Sequence, residues 1–224
     1  METTADLDRV PGPGPAGSPE IAPALGLLEF ESVAVGIAAG DAMAKRAPIR
    51  VLHAGTVHPG RYLVLVGGEV ADVEESLRAG RAAGAEALVD MVFLPHVHPA
   101  VSAAVAGVRR RAGGEALGVI ETPTVASIID AADAGMKGAQ VRLLELRLAD
   151  GLGGKGYVLF DGPVSEVEAA VQLGTERIGS RTGTVHRIIP SLHAEMRENL
   201  EADARFRERV RSRRPPAVPP RREA

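Results

Sequence analysis

Apolar residues along this chain fall into short blocks whose period switches between two and about 3.6, and the same succession of blocks occurs twice. In the better-marked half, Leu117-Gly118-Val119-Ile120 predicts a strand. Thr124 then stands where a helix wants its N-cap, and Val125, Ile128, Ile129, Ala132 and Met136 follow at helical spacing. Val141 to Leu148 alternates in part and predicts a second strand, and a glycine-bearing loop leads to a third at Tyr157-Val158-Leu159-Phe160. Ser165 and Glu168 have capping-box spacing and predict a second helix running to about Arg177. A last strand, Val185 to Ile189, stops at Pro190. The earlier half gives the same order. Ser32 caps a helix with Val33, Ile37 and Ala44 on its apolar face, Tyr62 to Val66 is a strand, and Val92-Phe93-Leu94 ends at Pro95. A short helix is expected after each proline.

The likeness between the halves is one of residues as well as pattern. With a shift of 92 positions, Ala24 to Ala47 aligned on Ala116 to Ala139 gives 12 identities in 24 pairs, among them Val33/Val125, Ile37/Ile129, Asp41/Asp133 and Lys45/Lys137. The shift becomes 95 at Tyr62/Tyr157 and 94 at Gly68/Gly162, as loop insertions between shared elements would produce. A period above ninety residues is too long for a solenoid and signifies two copies of one domain. The expected fold is α/β of the α+β kind: two tandem ferredoxin-like β-α-β-β-α-β units, copy 1 over 24–107 and copy 2 over 116–202. A linker at 108–115 joins them, a Pro/Gly-rich extension at 1–23 precedes them and an Arg/Pro-rich tail at 203–224 follows.

Composition narrows the chemistry. The 224 residues are 45% hydrophobic with a net charge of −3, which excludes wholesale disorder, and no apolar run reaches the roughly 18 residues a membrane helix needs. Nor do the first twenty residues hold an apolar block of the secretory type. There is no cysteine, hence no disulfide, thiolate nucleophile or cysteine-ligated metal, which fits a cytosolic setting. Two Tyr, four Phe and no Trp give little to stack on bases, so nucleic acid is not an expected partner, and neither is a membrane. Residues 205–224 hold eight arginines against Glu208 and Glu223; with Pro215, Pro216, Pro219 and Pro220 among them, they read as a solvated end.

Candidate catalytic groups do not converge. Pro95-His96-Val97-His98 holds the one close histidine pair; alternate strand residues could share a metal, but the segment offers no third ligand, so surface or interface histidines are the better reading. Asp150-Gly151-Leu152-Gly153-Gly154-Lys155-Gly156 is rich enough in glycine to cradle an anion, yet a strand follows where nucleotide loops have a helix. A hairpin needing glycine for positive φ is the plain alternative, and a backbone-lined rim is the third. Paired acids such as Glu74-Glu75 and Glu166/Glu168 sit in first helical turns, where the helix dipole favours them.

Ala116-Leu117-Gly118-Val119-Ile120-Glu121-Thr122, the helix end Ala131-Ala132-Asp133-Ala134-Gly135-Met136-Lys137, the glycine loop and the later Gly-x-Val-x-x-Val-Glu resemble the bacterial microcompartment shell domain, in order and twice. The resemblance implies a structural, non-catalytic tile: a homotrimer whose six domains form a pseudohexamer, single or stacked as a dimer of trimers. Its neighbours would be other shell proteins, hexameric tiles and pentameric vertices. The unpermuted order is similar to tandem members that carry an iron–sulfur cluster, but without cysteine no cluster, and no other cofactor or metal, is expected. The resemblance also implies a central pore for small polar metabolites, lined by Thr56, Val57, His58, Pro59, Gly60 and Arg61 and by Asp150, Gly151, Leu152, Gly153, Gly154 and Lys155, with Leu152, Gly153 and His58 narrowest. Arg61 or Lys155 would add positive potential there if they face the channel. Tile edges would meet through Lys45 and Lys137, supported by His96, His98 and His193; where many members have Pro-Arg-Pro-His, this chain has His96 and Ser191 in place of the arginine. A soluble ligand-binding or regulatory module is the competing reading, and an enzyme with its site between the copies is a third.

Overall fold

Each copy folds as its alternation of periods requires. The computed structural model describes residues 23–179 and 183–202. Copy 1 runs β1 (Ala24–Phe30), α1 (Val33–Arg46), β2 (Val51–Val57), β3 (Arg61–Gly68), α2 (Val70–Ala83), β4 (Leu88–Leu94) and α3 (Pro99–Val105). Copy 2 repeats it with β5 (Ala116–Thr122), α4 (Val125–Gly138), β6 (Arg142–Leu148), β7 (Gly156–Gly162), α5 (Val164–Ile178), β8 (Val185–Ile189) and α6 (Ala194–Ala202). The sheets have orders β2-β3-β1-β4 and β6-β7-β5-β8, every pairing antiparallel, which is the β-α-β-β-α-β arrangement expected. The leader and the arginine tail lie outside the described residues.

The two helices of each copy pack side by side on one face of its sheet. In copy 2 they touch nearly backbone to backbone: a Cβ on Gly174 would lie 2.8 Å from the Ala131 carbonyl oxygen, and one on Gly135 2.9 Å from that of Ala170. Buried Phe160, Ile120 and Val158 complete the core beneath them.

Helix starts and faces depart from the pattern in instructive ways. Ser32 caps α1 as expected, its hydroxyl accepting from the Val35 amide at 3.4 Å. Ser165 does not cap α5, which opens one residue earlier behind Pro163. Val33, Ile37 and Ala44 do not face the core of copy 1: all three are exposed, Ile37 at 54%, and α1 lays Gly36, Ala39, Gly40 and Met43 on its sheet instead. In the matching stripe of α4, Val125 and Ile129 are at 0% and Met136 is partly buried, because copy 1 covers it. Leu25, Val92, Leu94, Val97 and Val101 of copy 1 join Val125, Ile129 and Leu146 of copy 2 in one continuous apolar cluster.

Candidate functional site

Two hairpins, one from each copy, define one rim of the molecule. In copy 1 the β2–β3 ladder ends at the pairs Thr56–Tyr62 and Val57–Arg61, and His58-Pro59-Gly60 make the turn, with Gly60 at φ 109°. In copy 2 the connection from Ala149 to Lys155 is closed by the Ala149 amide on the Lys155 carbonyl at 3.0 Å and the Leu152 amide on the Ala149 carbonyl at 2.9 Å. Gly151, Gly153 and Gly154 hold φ of 73°, 64° and 85°, so this loop needs glycine for its backbone. Open space surrounds the Cα of Gly151 and Gly153, whereas a Cβ on Gly154 would lie 3.2 Å from the His58 carbonyl oxygen. The hairpins therefore stand side by side.

The cations of the rim have partners. Arg61 reaches Glu29 Oε1 at 2.5 Å and donates to the Pro123 carbonyl at 3.2 Å, and Lys155 pairs with Glu121 at 2.8 Å. The two pairs are equivalent by strand register, which matches Arg61 to Lys155 and Tyr62 to Gly156 rather than to Tyr157 as the sequence alignment has it, but Glu29 is fully buried while Glu121 is half-exposed.

That difference arises because Glu29 lies at the junction between the copies. Its second oxygen accepts the Val125 amide at 2.9 Å, so a strand of copy 1 supplies the carboxylate that α4, with no acid in its first turn, lacks. Burial pushes the Glu29 carboxyl above its ordinary value, against the lowering effect of the Arg61 and Val125 hydrogen bonds. Beside it in register, Asp90 Oδ2 accepts from the Thr124 hydroxyl at 2.5 Å and from the Ser127 hydroxyl at 2.6 Å. Thr124 thus sits at the N-cap of α4 but spends its hydroxyl across the junction. Two turns on, Asp133 accepts the His98 amide at 2.7 Å and pairs with Lys137 at 2.5 Å.

The other predicted residues scatter around this junction. His98 caps α3, Nδ1 accepting the Ala100 amide at 3.1 Å, and His193 bears the same relation to the Glu195 amide at 3.3 Å. His96 is exposed in the turn after β4, not on a strand with His98. Among the described residues no group of three metal-ligating side chains converges. Lys45 projects from the end of α1, 73% exposed and paired with Asp41 at 2.6 Å; Lys137 is more sheltered. Sequence reasoning passed over Glu29, Asp90, Thr124, Ser127 and Asp133 as a group. The available signal was a carboxylate in the middle of an otherwise apolar strand, in Leu27-Leu28-Glu29-Phe30 and Val89-Asp90-Met91-Val92.

Two four-stranded α+β domains in tandem, with hairpins side by side and a polar junction, define a duplicated-domain protein. The chain belongs to the BMC-domain family, whose model matches residues 24–100 and 116–192, and it is a structural protein of a bacterial microcompartment shell. It is 38% identical to the bacterial microcompartment shell protein PduT of Citrobacter freundii over 174 residues, 77% of this chain and 95% of that one. A crystal structure of a microcompartment protein from Desulfitobacterium hafniense superposes with a TM-score of 0.69 at 41% identity, covering 78% of this chain and 98% of that one. The major carboxysome shell protein of Halothiobacillus neapolitanus is 41% identical over 92 residues, 39% of this chain and 88% of that one, as one copy of the domain would be.

Proposed function

We propose that three of these chains close head to tail into a six-domain ring whose axial pore, lined by the two hairpins, passes small polar metabolites through the shell. The observation that carries this reading is that the chain holds one junction made and the two halves of a second left open. Val125, Ile129 and Asp133 of α4 are buried on copy 1, while their equivalents Val33, Ile37 and Asp41 on α1 face solvent. On the opposite end, Val101 of α3 is fully buried against copy 2, and its equivalent Met196 on α6 is 52% exposed. A junction of this kind joins unlike surfaces, so it propagates in one direction and closes when the rotation completes a ring. Glu121 and Lys155 repeat the Glu29 and Arg61 pair and are placed to receive the N-terminus of α1 from the next chain. Edge contact between rings then falls to Lys45 and its neighbourhood, and assembly with other shell proteins follows from the family.

In the ring the hairpins alternate about the axis, and the open backbone at Gly151 and Gly153 forms part of the rim. Because Arg61 and Lys155 are paired, backbone amides rather than free cations meet a passing anion. Leu152→Cys puts a single thiol in an otherwise cysteine-free chain. Short bis-maleimides should join chains of the assembled variant into covalent dimers, and a three-armed reagent into trimers. Assembled rings that yield only uncrosslinked chains would remove this loop from the axis.

A further inference from the structure

Laying the made junction over the open one position by position shows where they agree and where they part. Glu29 with Arg61 corresponds to Glu121 with Lys155, Asp133 with Lys137 to Asp41 with Lys45, and His98 to His193. At the centre the chemistry changes on both sides together. Asp90 becomes Val185 under the register that aligns β4 on β8, and Ser127 becomes Val35 under the repeat that aligns α4 on α1. The made junction has a buried carboxylate holding two hydroxyls. The open one has an apolar strand residue, 47% exposed, and α1 carries Val35 where α4 has Ser127, while Ser32 keeps a hydroxyl at the Thr124 position.

We infer that this paired exchange is a sorting device, by which the Val185 strand accepts only a second copy of this chain through the Val35 face of α1, and the Asp90 strand accepts only α4. The inference rests on the ring reading above. Docked wrongly, a helix with valine at the Val35 position against β4 would leave Asp90 without the Ser127 hydroxyl, and one with serine there against β8 would bury that hydroxyl on valine; the N-cap hydroxyl, Thr124 or Ser32, is common to both. Either fault weakens association by about tenfold or more, since a buried polar group without its partner loses its hydration and gains nothing for it. The shared Glu and Asp positions suit either junction; the exchanged pair decides which helix each strand takes. The refusal of a shell domain carrying aspartate at the Val185 position follows from it.

The test is sedimentation velocity of the full chain over a concentration series. Val185→Asp, at an exposed site, is expected to raise the concentration for half-assembly at least about tenfold, and adding Val35→Thr, which supplies a hydroxyl at the Ser127 position, to recover most of that loss. Circular dichroism melts are to check that each variant is folded. Val185→Asp assembling as tightly as the natural chain, or no recovery in the double variant, would overturn the sorting device and leave the ring intact. A natural chain that stays monomeric throughout would overturn the ring reading itself.

Discussion

Glu29 shows how much a single side chain is asked to do at the junction. It holds Arg61 with one oxygen and the α4 N-terminus with the other while fully buried. Its carboxyl titrates above the ordinary 4.5, chiefly through burial, so the folded chain keeps the proton to a higher pH than the unfolded chain does. Stability owed to this group therefore falls as pH rises from 4.5 through the raised value and is level above it. Thermal melts from pH 4.5 upward should show this slope in the natural chain and lose it in Glu29→Gln, whose amide oxygen still accepts from Val125. Glu29→Ala removes both acceptors and should cost about 3 kcal/mol in urea unfolding.

At the level of elements, the sequence was most legible where one copy satisfies its own needs. The strand and helix order, the repeat and the Ser32 cap are all local or nearly so, and they match the structure. It was least legible where a residue answers to the other copy. Helical spacing finds an apolar stripe at Val33 and Ile37, but periodicity carries no information on which surface covers it. The same limit concealed Thr124, a residue of capping type whose hydroxyl is drawn to Asp90 by a fold contact 34 residues away. The glycine hairpin was left between three readings; the positive φ values satisfy the hairpin one and supply the geometry on which the rim proposal rests. Gly153→Val should cost about 1–2 kcal/mol, because open space does not relieve a left-handed backbone, whereas Gly153→Asn should cost less, as differential melts of the pair would show.

For the whole molecule, two kinds of contact have to be kept apart: those that close a ring and those that tile rings into a sheet. In the proposed ring, Lys45 belongs to the second kind. Its pair with Asp41 is exposed and adds only about 0.3–0.5 kcal/mol to the fold, so Lys45→Ala should leave the melting temperature and the ring mass unchanged while ordered sheets disappear from negative-stain micrographs. Ile37 belongs to the first. The most direct measurement of the central claim is native mass spectrometry of the natural chain beside Ile37→Asp. A species of about 70 kDa, three times the 23.3 kDa chain, is expected for the natural protein and a folded single chain for the variant. A natural chain that remains at 23.3 kDa, or a variant that assembles as readily as its parent, would contradict it.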